Sequence, residues 1–446
     1  MGCGGVAGVR EKIVLIGAGS AMFTRGLVAD LARSGAELDI ALVDIDPNAL
    51  GVVEALSRRM IEAQGSGIRL SASTERRDVL SGATAVITTI GVGGRRAWER
   101  DVLIPRKFGV YQPVGDSVMP GGTSRALRMI PQMVDIARDV QAMAPGALFF
   151  NYGNPVPAIC RAVRKATGAN IVGLCHGVWH TAGYLAACLG VAPDRLTCTG
   201  IGMNHLTWLM DVRVDGADAT GRLHGLAARK LSADGDGDNP FAWQLFELYG
   251  AFPAVLDRHI SEFFTQFYAA GKYCGGTLGV DRISFEDVIA DGDRIFEEMR
   301  QAAFSPGPLS QEYFDSISGE HEQVVEIIDS IRIDAGRVYS ANLPNTGQVP
   351  NLPIGAIIEC PAVAGSAGLT PLPQKPLPTG VASTLVDKIA WVELVVEAAL
   401  EGSRAKFVQA LVVDGSVGSL EDAYRLADEL LAAQAEYLPR FAGGGR

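Results

Sequence analysis

Lys12-Ile-Val-Leu-Ile-Gly-Ala-Gly-Ser20 is the stretch on which the fold turns. A short apolar run rich in β-branched residues meets two glycines at once, so it reads as a buried strand opening into a tight turn. Helical apolar spacing follows over 23–33, and Asp39-Ile-Ala-Leu-Val43 is a second strand with Asp44 at its tip. Strand, glycine turn, helix and strand make a βαβ unit. Its glycines, Gly17 and Gly19 with Ser20 beside them, let the backbone approach a pyrophosphate, and the helix start offers N–H donors. Asp44 stands where an acid meets the ribose hydroxyls of a dinucleotide, and with Asp46 it favours NAD over a 2′-phosphorylated cofactor. Met22 occupies the third glycine position, so a tight turn without nucleotide stays open as a second reading.

Outward from this unit the alternation continues. Residues 48–64 read as a helix, and 68–71 and 85–90 as strands, the latter ending in Gly91-Val-Gly-Gly94 where a dinucleotide crosses a sheet edge. Polar Gly115-Asp-Ser-Val-Met-Pro-Gly-Gly-Thr123 opens a helix over 124–143, with Asp116 as its candidate contact. A strand over 147–150 ends in Asn151-Tyr-Gly-Asn-Pro155. Those amides suit a nicotinamide carboxamide at Asn151 and sugar hydroxyls at Asn154, and turn chemistry before Pro155 competes with both. A strand over 170–174 runs into Gly173-Leu-Cys-His-Gly-Val-Trp-His180, echoed by Gly202-Met-Asn-His-Leu-Thr-Trp208. All these polar groups fall at strand ends, where an open α/β sheet has its crevice. The expected class is α/β: a Rossmann-type doubly wound parallel sheet over 1–200, then a mixed α+β domain over 201–446, lactate/malate dehydrogenase-like overall.

Composition bounds the partners. The chain has 446 residues, 48% hydrophobic and 20% charged, with a net charge of -11, which speaks against a nucleic-acid surface. No apolar stretch is long and uncharged enough to span a membrane. The Gly-rich first ten residues read as frayed, without a secretion signal, and Val6 stands where a myristoylation motif wants Ser or Thr. Seven scattered Cys read as reduced thiols in a cytoplasm rather than a disulfide framework. In the second half, 207–214 alternates like a strand and 234–240 is an acidic loop lacking the bidentate Glu of a calcium loop. Residues 340–349 read as turn, 352–362 as strands, and helices begin near Gly380 and span 420–437.

Cys175 and His205 combine a thiolate and an imidazole, ligands for a borderline divalent ion that leave positions open for substrate. Packing competes here, since buried Cys often fills core and lone His is often simply hydrogen-bonded.

Taken together, Gly17-Ala-Gly-Ser20, Gly91-Val-Gly-Gly-Arg-Arg-Ala-Trp-Glu-Arg-Asp101, Pro120-Gly-Gly-Thr-Ser-Arg-Ala-Leu-Arg128 and Asn151-Tyr-Gly-Asn-Pro155 form the first half of a pattern. Cys175-His176, Gly202-Met-Asn-His205, Asp257-Arg-His259 and Asn351-Leu-Pro353 complete it. The chain resembles family 4 of the glycoside hydrolases nearly end to end. The resemblance implies NAD and a divalent ion, usually manganese, held by Cys175 and His205. It implies hydride removal from C3 of the sugar, loss of the C2 proton to a base, departure of the aglycone from C1, water addition and hydride return. It further implies Asp257 as the base, with Tyr268 or Tyr273 as fallback, and His176 as the leaving-group acid. Asp116 and Asn154 would hold sugar hydroxyls, and Asn204 would orient substrate or His205.

Relatives acting on 6-phosphosugars carry Asp or Asn after the metal Cys, whereas His176 stands here. The Cys-His-Gly form resembles the α-glucuronidase group, with α-galacturonidases, α-glucosidases and α-galactosidases close by. A uronate would need a cation, for which Arg258 is the guess. A 2-hydroxy-acid dehydrogenase and a nucleotide-sensing protein without chemistry are the other readings. Homodimers or homotetramers are expected from the resemblance.

Overall fold

The computed structural model describes residues 10–20, 23–33, 37–232, 237–317 and 323–442. Residues 1–9 of the expected frayed N-terminus, Met22 and residues 234–236 of the acidic 234–240 loop lie outside the described residues. The first half is β1 (Lys12–Ile16), α1 (Thr24–Arg33), β2 (Asp39–Val43), α2 (Pro47–Ala63), β3 (Arg69–Ser73), α3 (Arg77–Leu80) and β4 (Ala85–Thr88). It continues with α4 (Gly94–Arg106), α5 (Met119–Met143), β5 (Leu148–Asn151), α6 (Val156–Thr167), β6 (Ile171–Gly173) and α7 (Gly177–Leu189). The parallel strands lie in the order β3-β2-β1-β4-β5-β6. That is the doubly wound dinucleotide order, with its reversal between β1 and β4.

The strands fill two cores because successive side chains point to opposite faces. Val14 and Ile16 pack on one face with α5 and α6, while Ile13 and Leu15 pack on the other with α1 and α2. Such strands, covered on both sides, are apolar at every position rather than alternating.

The sheet does not stop at the expected boundary of 200. Strand β7 (Leu196–Met203) crosses it and forms a hairpin with β8 (Leu206–Val214). Strands Arg337–Pro344 and Ile357–Gly365 bridge β6 to β7 antiparallel, so one sheet carries both halves. The stretch 340–349 was expected as turn. Most of its strand is polar or small, and its partners across the sheet rather than its own pattern hold it extended. Helices Thr379–Glu401, Arg404–Asp414 and Leu420–Ala433 return to cover α4, α5 and α6. No helix among the described residues is long and apolar enough to cross a membrane.

Candidate active site

At the tip of β1, Gly17 has φ 89°, and a Cβ there would lie 2.7 Å from Ile90 N. A Cβ on Gly19 would lie 2.7 Å from Asp44 Oδ2. Only glycine lets the turn lie this close to β2 and β4. Gly19 N–H donates to Asp44 Oδ2 at 2.8 Å, Asp46 N–H to Asp44 Oδ1 at 3.0 Å, and Ser20 N–H to Gly17 O at 3.2 Å. Asp44 therefore ties the glycine turn to the β2 tip, and each oxygen keeps a lone pair for a ribose hydroxyl. Beside it Ile45 is 88% exposed, an apolar face next to the acid. Gly91 accepts from Gly94 N–H at 2.8 Å, closing the turn into α4. This cradle fits a dinucleotide.

Asn151 behaves otherwise. Its amide nitrogen donates to Gly153 O at 2.9 Å, and its oxygen accepts from Gly153 N–H and Thr88 Oγ1, both at 3.1 Å. The side chain is spent on the turn before Pro155, so the cofactor contact expected of it gives way to turn chemistry.

Three ligand atoms, one each from Asp116, His205 and His259, lie within 4.8 Å of one another. His205 occupies a two-residue hairpin turn between β7 and β8 with φ 64°, a conformation that a non-glycine residue adopts at a cost. Ser117 Oγ bonds His205 Nδ1 at 2.7 Å and Asp116 Oδ1 at 2.7 Å, leaving Nε2 of the imidazole for a ligand. Asn154 Nδ2 donates to Asp116 Oδ2 at 2.9 Å, and Arg125 Nε donates to Asn154 O at 3.0 Å. The rings of His205 and His259 lie 4.3 Å apart, and His259 Nδ1 is buried without a hydrogen-bond partner among the described residues. Burial pushes His205 down to about 4 and carries His259 well below the imidazole range, so both are neutral ligands at pH 7. Burial opposes ionisation of Asp116, but the facing imidazoles and Arg125 outweigh it and bring its carboxyl below the ordinary value. Two nitrogens and a carboxylate suit a divalent transition ion.

Cys175 stays outside this converging group, its Sγ accepting from Gly177 N–H at 3.3 Å. His259, named from the sequence only as part of the Asp257-Arg-His259 motif, takes a place in it instead. His176 caps the start of α7 on an exposed wall, where desolvation and then His180 lower its pKa. Asn204 is 2% exposed, and neither atom of its amide has a hydrogen-bond partner among the described residues. A buried amide with both groups open is what a sugar hydroxyl would satisfy.

Asp257, expected as the base, has its oxygens committed. Oδ2 accepts Phe241 N–H at 2.9 Å, Oδ1 accepts Ala242 N–H at 2.8 Å, and Tyr273 OH also donates to Oδ2. The carboxylate caps the helix Pro240–Tyr249, whose first N–H groups and dipole favour a negative charge, while burial raises its pKa above the ordinary value. Asp257 and His259 are two residues apart on one helical turn, so they face opposite ways. Asp257→Ala is expected to cost about 2 kcal/mol in urea unfolding, because two buried N–H groups lose their acceptor.

Glu262, carried by no motif, holds the cluster together. One turn beyond His259, its Oε1 accepts Val114 N–H at 2.9 Å and Gly115 N–H at 2.7 Å, fixing the loop that presents Asp116. Glu359 lies across from Gly202, where Thr207 Oγ1 donates to it at 2.6 Å and Ser340 Oγ at 3.2 Å. Burial pushes Glu359 up to about 7. The folded protein therefore keeps this proton between the ordinary carboxyl pKa and about 7 while the unfolded chain releases it. The group's contribution to stability is full at acid pH and is lost as pH rises through that window. Glu359→Gln is expected to gain on the native protein by up to about 3 kcal/mol between pH 5 and pH 8 in urea unfolding.

Trp208 is buried, with its Nε1 donating to Thr384 Oγ1 at 3.2 Å, and Arg95 and Arg96 both pair with Asp293.

A sequence profile described as Family 4 glycosyl hydrolase matches residues 12–191, and the profile of that family's C-terminal domain matches residues 200–417. The chain belongs to this family. An alpha-galactosidase of Rhizobium meliloti (strain 1021) is 30% identical to this family 4 chain, covering 97% of it and 90% of the relative. The crystal structure of lplD from Bacillus subtilis superposes with a TM-score of 0.82 at 29% identity, covering 95% of this chain and 100% of the other. A 6-phospho-alpha-glucosidase from gut microorganisms, solved in complex with NAD and Mn2+, reaches a TM-score of 0.84 at 18% identity over 96% and 99%. Likeness in fold alone extends to a malate dehydrogenase of Cryptosporidium parvum, at a TM-score of 0.54 and 15% identity over 88% and 99%. Membership of a glycosidase family sets aside the 2-hydroxy-acid dehydrogenase reading, although the dehydrogenase-like architecture stands.

Proposed function

We propose that this family 4 glycosidase hydrolyses an unphosphorylated α-glycoside, an α-glucuronide first among the candidates, with NAD and a divalent ion such as Mn2+. The convergence of Asp116, His205 and His259 beside the open amide of Asn204 carries this reading. Curated relatives aligned over nearly the whole chain are named alpha-galactosidase, alpha-glucosidase and alpha-galacturonidase, which are the alternative substrates. His176 in place of an acidic residue supports a substrate without a 6-phosphate.

When bound, NAD+ supplies a hydride acceptor for C3, and the divalent ion supplies the electrophile that acidifies the C2 proton. His205 anchors the ion, with Asp116 and His259 as companions and Cys175 as a thiolate from the β6 tip. Asn204 and Asn154 orient sugar hydroxyls. Tyr273, whose hydroxyl donates to Asp257, is the fallback base for the C2 proton. His176 donates to the leaving oxygen. Arg125, rather than the exposed Arg258, suits a uronate, since it is a guanidinium without an ion-pair partner among the described residues, next to Asn154. Assembly as a homodimer or homotetramer belongs to the same reading and is checked by light scattering.

The test is a panel of p-nitrophenyl α-glucuronide, α-galacturonide, α-glucoside and α-galactoside with NAD+, Mn2+ and a thiol reductant. Turnover of at least one substrate that stops when either cofactor is omitted is expected. Cleavage that persists without NAD+ would sink the mechanism, and preference for a neutral sugar would sink the uronate assignment.

A further inference from the structure

The loop that carries Asp116 and Ser117 runs into a strained residue. Met119, the first residue of α5, has φ 60°, a left-handed conformation that a bulky side chain adopts only where its surroundings enforce it. Val118, at the cap position, offers no side-chain acceptor to the first N–H groups of the helix. Support comes from the C-terminal helices instead. Asp414 Oδ1, at the end of the helix Arg404–Asp414, accepts Met119 N–H at 3.1 Å. Lys388 Nζ, on the helix Thr379–Glu401, donates to the same oxygen and to Asp414 O, both at 3.0 Å. One turn along that helix, Trp391 Nε1 donates to Thr123 Oγ1 at 3.1 Å, and the hydroxyl donates to Met119 O at 2.7 Å. Both backbone polar groups of Met119 are therefore tied to one face of a helix far along the chain, through buried side chains.

This tie reaches the ligand cluster through the backbone. Ser117 lies two residues before Met119, and its hydroxyl meets both His205 and Asp116. A Cβ on Gly122 would lie 2.5 Å from the carbonyl carbon of Ser117, and one on Gly121 would lie 2.6 Å from Gly115 O. Gln112 Oε1 accepts Gly121 N–H at 3.2 Å. The first turn of α5 thus lies directly on the Asp116–Ser117 backbone, and a shift of Met119 moves the groups that face His205. A buried ammonium–carboxylate pair adds little net stability, because desolvation offsets its attraction. Its effect here is on geometry.

We propose that Asp414 and Lys388 are positioning residues for the divalent ion. They hold Met119 in its strained conformation and through it set where Asp116 and Ser117 meet His205. Neither belongs to the ligand group itself, and the proposal rests on the reading of Asp116, His205 and His259 as the metal site.

Mn2+ binding to the full chain with NAD+ bound, followed by electron paramagnetic resonance of the free ion, tests this. The double variant Lys388→Met/Asp414→Leu replaces the pair by apolar groups and removes the acceptor for Met119 N–H. Its Mn2+ dissociation constant should rise about 10-fold while NAD+ affinity stays native. Lys388→Met/Asp414→Asn also removes both charges but keeps an oxygen for Met119 N–H, and should bind Mn2+ within about 2-fold of the native protein. Native Mn2+ affinity in the Leu variant, equal weakening in the two variants, or a parallel loss of NAD+ affinity would each overturn the proposal. If the Leu variant does not fold, Thr123→Val decides, since it removes only the tie to Trp391. About 3-fold weaker Mn2+ binding at native NAD+ affinity is then expected, and unchanged Mn2+ binding is the overturning result. Native protein that binds no Mn2+ would instead remove the metal reading on which this one rests.

Discussion

Replacing His205 by alanine is expected to raise the Mn2+ dissociation constant by more than about 100-fold and to leave NAD+ affinity unchanged. His205 is the residue shared by both ligand sets, the thiolate pair implied by family resemblance and the Asp116–His259 group that the structure assembles. Its ring is aimed by Ser117, so Ser117→Ala should cost about 10–100-fold in Mn2+ affinity through orientation alone. Electron paramagnetic resonance of free Mn2+ reads both effects without any turnover. The NAD+ cradle at Gly17, Gly19 and Asp44 belongs to the tips of β1 and β2 and shares no hydrogen bond with His205 among the described residues, so it serves as the control. Native-like Mn2+ affinity in His205→Ala would place the ion elsewhere.

Asp101→Ala is expected to destabilise the protein by about 3–5 kcal/mol in urea unfolding. Asp101 and Arg128 are both fully buried and pair at 2.5 Å. Ser124 Oγ at 2.7 Å and Gln434 Nε2 at 2.8 Å also donate to Asp101, while Arg128 Nε donates to Val92 O at 2.8 Å. Alanine leaves the guanidinium uncompensated in the core, which costs more than the pair itself contributes. The same network joins α4, α5 and the C-terminal helices to the Gly91–Gly94 turn, so NAD+ affinity should fall alongside stability. A loss below 1 kcal/mol, or a loss of stability with NAD+ affinity untouched, would show that this network does not support the turn.

Much of this was readable in the chain itself. Lys12–Ile16 with Gly17, Gly19 and Asp44 determined the doubly wound sheet, because local steric and hydrogen-bond rules connect a glycine turn to its flanking strands. The family pattern likewise named His205, Asp116 and Asn204, all of which lie in or beside the cluster. Other features required the tertiary structure. The strand Arg337–Pro344 has little apolar alternation and is held extended by β6 and Ile357–Gly365 across the sheet. Asp257 and His259 share one motif but face opposite ways. Asn151 satisfies its own turn, and Glu262 reaches the Asp116 loop from far along the chain. Strand tips and glycine turns follow from neighbours in sequence, so a linear reading finds them. Which buried carboxylate caps a helix, clamps a loop or meets an ion depends on which distant backbone N–H groups arrive beside it, and only the folded chain decides that.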